Sequence, residues 1–439
     1  MKSAQSWIVS ALILSTTGLS PAQTSSTHTT VRHHREAVQA DDGSAEVAEA
    51  EEAMAKKDFT AAEKILLTAT SKDGKNYRAW FDLGYVYNAT ERQEQAIAAY
   101  RKAVAANPEV FESNLNLGIM LARTGDPEAE TFLRQATELK PSAHEDEGRY
   151  RAWVSLGHAL EKSKPKDALE AFQKAAELQP KEAEPHLSAG LLLEGQKQYP
   201  AAAAEYQKAA EVDPKSAEAL AGLVNAYSQS QQFPEAESAL RRFIALDPNN
   251  ATAHVQLGRV LAIEHKWDDA TAELEQGLKL HPGDLEAERQ LASIYMGQKN
   301  YDAAVPHLQV ALKAAPRDAE LYYWAGQALL NMKKFPEAQK VLEVALKLKP
   351  DMGEAWGELA IAASENKNYQ LCLQALEARG KFLPESPMTY FLRATTFDHL
   401  QDAKQAAANY HKFLDASAGR YPDEEWKAKH RLIAIEPKR

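Results

Sequence analysis

The sequence predicts an all-α fold: a solenoid of about eleven helix-pair repeats closed by a C-terminal capping helix. Two observations carry this. Prolines recur at a constant interval at Pro180, Pro214, Pro248, Pro282, Pro316, Pro350 and Pro384, and Pro141 and Pro108 extend the series with slightly irregular spacing. Between them, small residues keep a fixed register: Gly84, Gly190, Gly258, Ala292, Gly326 and Ala360 each stand at one and the same offset before a proline of the series, as Gly84 does before Pro108 and Gly190 before Pro214. A second small residue follows at a constant step (Ala96, Ala202, Ala270, Ala304, Ala338, Cys372), and a large one comes a helical turn after that (Tyr100, Tyr206, Leu274, Leu308, Leu342, Leu376).

The elements follow in chain order. Residues 1–22 read as a secretory signal peptide: Lys2 gives the positive start, Trp7 to Leu14 an apolar core, and Ser20, Pro21 and Ala22 small residues for cleavage. The apolar run is too short to span a bilayer, which takes about 20 residues. Residues 23–42, rich in Ser, Thr and His, read as a flexible linker. The array is expected over 43–420, with units starting near 43, 77, 111, 150, 183, 217, 251, 285, 319, 353 and 387. Each unit is a pair of antiparallel helices. The small residues let the two axes approach, and the recurring proline stops the second helix because it has no N–H for the ladder. Asn76, Ser216, Asn250, Asp284, Asp318 and Ser386 stand where N-caps are needed. Pro200, Pro234 and Pro336 fall in the first turn of second helices, where a missing donor costs little. Pro306 lies one turn deeper and should cause a modest local adjustment. His144 to Arg149 is expected to loop out between units three and four. Asp423 to Ile435 should form the cap, with Trp426, Leu432 and Ile433 as its buried stripe, inside a terminal segment of 421–439.

Trp80, Leu83, Gly84, Tyr87, Ala96, Tyr100, Ala103 and Pro108 together resemble the tetratricopeptide-repeat family, and Trp153, Leu156, Gly157, Ala168, Phe172 and Ala175 do so again. The resemblance implies a right-handed superhelix and a concave surface, lined by first helices, that holds a peptide or extended protein segment. The unit near 217 departs, with Val224 at the glycine position and Gly222 two residues early. The unit near 353 departs with Ala360, Cys372 and Arg379.

Composition narrows the chemistry. With 51 Lys+Arg against 62 Asp+Glu, the net charge of −11 argues against a general nucleic-acid binder. One cysteine, Cys372, excludes an internal disulfide or a Cys-rich metal site, and a buried inert thiol is expected. Gly190 to Lys197 falls short of a phosphate-binding loop, lacking the Lys and hydroxyl residue after its second glycine. His158 with Glu161, and His399 with Asp402, have no second histidine at metal spacing and read as solvated polar pairs. No catalytic residue, metal or cofactor is expected.

By period, the inward first-helix positions are Phe81, Leu115, Val154, Leu187, Ala221, Val255, Arg289, Tyr323, Gly357 and Phe391. One turn on are Tyr85, Ile119, His158, Leu191, Asn225, Arg259, Ser293, Gln327, Ile361 and Thr395. From Phe81 to Leu191 they are mostly apolar, suited to a partner's hydrophobic anchors; from Asn225 to Gln327, with Arg259 and Arg289, they are polar and basic. The expected function is a non-enzymatic, exported adaptor of the cell envelope, periplasmic or secreted, that binds protein partners. The alternative is a groove for a glycan or small apolar ligand in polysaccharide export. Neither nucleic acid nor an integral membrane span after signal cleavage is expected.

Overall fold

The computed structural model describes residues 45–436; the expected signal peptide, the linker, residues 43–44 and 437–439 lie outside them. Among the described residues there are 23 helices and no strand. They form two compact units, divided between Leu246 and Asp247. The first unit holds six hairpins: α1 (Ala45–Ala55) with α2 (Phe59–Lys72), α3 (Tyr77–Ala89) with α4 (Gln93–Ala106), α5 (Phe111–Thr124) with α6 (Ala129–Glu138), α7 (Glu145–Leu160) with α8 (Pro165–Leu178), α9 (Glu184–Gly195) with α10 (Tyr199–Val212), and α11 (Ala217–Gln229) with α12 (Phe233–Leu246). The second holds five and a final helix: α13 (Ala251–Ile263) with α14 (Trp267–Leu280), α15 (Leu285–Gly297) with α16 (Tyr301–Ala314), α17 (Ala319–Asn331) with α18 (Phe335–Leu348), α19 (Gly353–Glu365) with α20 (Tyr369–Gly380), α21 (Pro387–His399) with α22 (Ala403–Ser417), and α23 (Pro422–Ile435). Within each unit every second helix packs on the next first helix, so the core runs along the stack.

The small residues do what close packing requires. A Cβ on Gly84 would stand 2.7 Å from the Tyr100 ring, and one on Gly157 2.5 Å from Phe172. Glycine here admits a large residue of the partner helix that alanine would push away. The unit near 217 is explained by the same rule. The Tyr206 ring touches both Gly190 and Gly222, where added Cβ atoms would stand 2.7 Å and 2.6 Å from it. Gly222 has moved two residues to face the tyrosine of the preceding hairpin, and Val224 fills the slot left behind.

All six expected N-caps accept a backbone N–H, among them Asn76 from Ala79 at 3.0 Å and Asp284 from Ala287 at 2.9 Å. Each such cap is worth about 1 kcal/mol. Ser386 adds a reciprocal capping box with Thr389. Pro306 sits inside α16, which runs unbroken. A further tie recurs at one position of the first helix. Trp80 Nε1 donates to Gly74 O at 3.0 Å, Asn114 Nδ2 to Pro108 O at 2.9 Å and Trp356 Nε1 to Pro350 O at 2.9 Å; His254 Nε2 stands 3.1 Å from Pro248 O. Each fastens the loop before the helix to the helix itself.

Two expectations are corrected. The insertion does not loop out: Glu145 to Arg149 form the start of α7. Glu145, Asp146 and Glu147 suit the positive end of a helix, Gly148 packs against Pro141, and Ser142 N donates to Glu112 at 2.9 Å. In α23 the buried residues are Ala428 and Leu432, while Trp426 is 60% and Ile433 71% exposed. The helix turns Ala428 and Leu432 inward because the small Ala428 admits the close approach that Trp426 would block.

Candidate interaction surface

The residues picked by period all lie on first helices. In the first unit, Leu115 and Ile119 belong to the hydrophobic core, at 2% and 1% exposure, on a helix buried from Phe111 to Leu121. Phe81 is also buried, its ring centroid 5.6 Å from that of Tyr100, and Tyr85 packs against the same cluster. His158, Leu187, Leu191 and Asn225 are half-buried, as are Arg259, Arg289, Tyr323 and Gln327 in the second unit.

The polar members are fixed by carboxylates on neighbouring hairpins. Asn225 Nδ2 donates to Glu194 Oε1 at 2.6 Å, and Tyr206 OH to Glu194 Oε2 at 2.7 Å. Gln327 Nε2 donates to Glu358 Oε1 at 2.9 Å, and Tyr323 OH to the same oxygen at 3.3 Å. Arg289 is paired with Asp318, and its other nitrogen stands 3.9 Å from Glu320. His158 Nδ1 is 2.7 Å from Glu161, Nε2 is 3.7 Å from Glu184 of the next hairpin, and the ring stacks edge-on against Phe172. So His158 is half-buried between Glu161 of its own hairpin and Glu184 of the next, rather than one half of a solvated pair. Burial pulls the His158 pKa down, yet the two carboxylates outweigh it and hold it at about 9. Burial raises Glu358 to about 7, only partly offset by Gln327 and Tyr323.

The sequence reading missed Glu194 and Glu358. Their signal is an offset of 31 residues to Asn225 and from Gln327, one helical turn short of the repeat period. It also missed a slot that joins a first helix to its second helix at one recurring separation. The slot holds His186 with Glu205, His254 with Glu273, and Glu288 with His307 in reversed order, each at 2.6–2.7 Å.

Other candidates find structural explanations. Gly190 packs against Tyr206. His399 stacks on Tyr369 at 4.8 Å, and Asp402 caps α22 through Gln405 N, so these two do not form a pair. Cys372 is buried 3.3 Å from Thr396 Oγ1, and burial pushes its thiol pKa up. Among the described residues no group of three or more His, Cys, Asp or Glu is placed to hold a metal, and no helix is long and apolar enough to cross a membrane.

Profiles described as tetratricopeptide repeat match residues 47–110, 89–144 and 158–217, and residues 193–258, 261–323 and 295–351, well over half of the chain. Among curated proteins, Protein NPGR1 of Arabidopsis thaliana is 29% identical over 122 residues; the match spans 27% of this chain and 17% of that relative's length. Among solved structures, YrrB, described as a TPR protein with an unusual peptide-binding site, is 26% identical, with 43% of this chain and 96% of YrrB covered and a TM-score of 0.39. MamA from Desulfovibrio magneticus RS-1 is 20% identical over 38% of this chain and 94% of its own, with a TM-score of 0.36.

Proposed function

Because the chain belongs to the tetratricopeptide-repeat family, whose repeats serve as protein–protein interaction scaffolds, we propose that its first-helix surface binds an extended segment of a partner protein. The observation that carries this reading is that, within each unit, a half-buried polar residue of a first helix is held in place by a carboxylate of a neighbouring hairpin, Asn225 by Glu194 in the first and Gln327 by Glu358 in the second. Side chains already fixed in this way lose little further entropy when an extended chain binds beside them. The envelope placement rests on the segment 1–22 alone.

A photo-crosslinking amino acid at Ile361, exposed on first helix α19, should capture a partner chain. The same group at Lys340, exposed on second helix α18, should not. Capture from Lys340 with none from Ile361 would reject the first-helix surface. An alkaline phosphatase fusion after residue 42, active only beyond the inner membrane, tests the export reading separately.

A further inference from the structure

Ile119 and Ile361 are the same residue at the same position of the repeat, on first helices α5 and α19, yet Ile119 is 1% exposed and Ile361 43%. That position is half-buried or exposed on every other first helix from α3 to α21. The helices packed on α5 are chiefly α4 and α6, with α7 beside them. The corresponding neighbours leave the position open in the other hairpins, so the first-helix surface at α5 is covered by more than the repeat itself supplies.

The cover is polar in part. Asn116 of α5 is 2% exposed, and on the flanking first helices Asp82 of α3 is 3% and Arg151 of α7 2% exposed. An acid and a guanidinium give up water at that depth only where other polar groups replace it. A purely apolar segment laid on this face would not do so, whereas an extended segment of mixed composition would, through its backbone and its side chains.

We propose that this segment is the chain's own, residues 23–42, laid across first helices α3, α5 and α7. It ends just before α1 begins. Helix α5 lies two first helices further on, about 20 Å at the usual spacing, a span that about seven extended residues cover. The composition suits the face. Val31, Ala37 and Val38 are apolar residues to place over Leu115 and Ile119, and Arg32 and Arg35 are cations to meet carboxylates such as Asp82. The inference rests on the reading of the first-helix surface as a site for an extended segment. In the first unit that site is held from within, and a partner must displace residues 23–42 to enter it.

Maleimide labelling of Ile119→Cys, in the full chain with Cys372→Ala to silence the natural thiol, reads the cover directly. Labelling should be about tenfold or more slower than that of Ile361→Cys. Exchange of residues 23–42 for a glycine–serine run of equal length should bring the two rates together. Equal rates before the exchange overturn the proposal. So does slow labelling that survives it, because the cover then belongs to the array. Should Ile119→Cys fail to fold, benzoylphenylalanine in place of Val38 decides the matter in the otherwise unaltered chain. Crosslinks within one chain to α3, α5 or α7 are expected; crosslinks only between chains, or none, overturn the proposal. Neither measurement involves a partner, so failure here leaves partner capture from Ile361 to be judged on its own.

Discussion

Arg379 lies across Gly357: a Cβ built on the glycine would stand 3.3 Å from Arg379 Cδ. The sequence separation between 357 and 379 is the same as that between Val255 and Gly277, where an added Cβ would stand 2.6 Å from Val255 Cγ2. One slot is thus filled from the first helix in α13–α14 and from the second in α19–α20. Phe391 and Phe413, equally spaced, share it with centroids 5.0 Å apart. The arginine that breaks the repeat pattern is the complement of the glycine that breaks it. Gly357→Val should therefore overfill the slot and destabilise by about 1–3 kcal/mol. Adding Arg379→Ala should recover most of that loss. Urea melts of the two single variants, the double variant and the parent measure the coupling; strict additivity would show that the two residues do not share space.

A second prediction concerns the turn inside each hairpin. Lys57, Glu91, Lys197, Gln231, His265, Lys299, Lys333, Lys367 and Gln401 all have φ of 59–62°, and Gly125 occupies the same turn at 73°. Only the last is a residue made for that conformation. The left-handed region costs other residues about 1–2 kcal/mol, and glycine's greater freedom in the unfolded chain gives part of the gain back. Lys299→Gly should therefore raise stability by about 0.5–1 kcal/mol, whereas Lys299→Val should lower it. Thermal melts of both variants decide the matter, and a fall in Tm for the glycine variant would contradict the turn assignment.

These turns also mark how far the sequence could be read. The proline and glycine spacings were legible because sterics leave them few substitutes: a missing N–H ends a ladder, and only a missing Cβ admits Tyr100 against α3. The left-handed turns were invisible because lysine, glutamate and glutamine tolerate the strain. Gly222 looked like a defect because its partner, Tyr206, belongs to the hairpin before it. In α23 two apolar stripes were available, and the larger side chains of Trp426 and Ile433 misled, since packing there rewards the small Ala428. Of the surface residues, the period found Gln327 and Asn225 but not the carboxylates that hold them, which lie one turn out of register.

The tie at His158 predicts a loss of stability at alkaline pH. Burial alone would lower its pKa, but Glu161 and Glu184 hold it at about 9 against an ordinary 6.5. A histidine raised in this way contributes fully below about pH 6.5, and the contribution is lost as pH rises through about 9. Its upper size is about 3 kcal/mol, from 1.36 kcal/mol per unit. The stability gap between the parent and His158→Gln should narrow from pH 6 to pH 10 in urea melts, while the His158 Hε1 resonance titrates near 9. A gap that stays constant would assign the effect to packing on Phe172.

Glu358 predicts the opposite remedy. Its Oε1 accepts from Tyr323 and Gln327, while Oε2 is buried without a hydrogen-bond partner; in Glu194, by contrast, each oxygen is bonded. Burial and then Glu354 disfavour the charge, so the carboxyl ionises near 7 rather than 4.5. For an acid raised in the folded state, stability is full below about pH 4.5, falls as pH climbs to about 7, and stays low above it. Glu358→Gln keeps an acceptor for Tyr323 and removes the charge. It should stabilise the chain at pH 8, by up to about 3 kcal/mol, and make little difference at pH 4. Urea melts at the two pH values test this directly. A variant weaker than the parent at pH 8 would mean that the carboxylate is compensated by a cation and that the seam between α17 and α19 carries no buried charge to relieve.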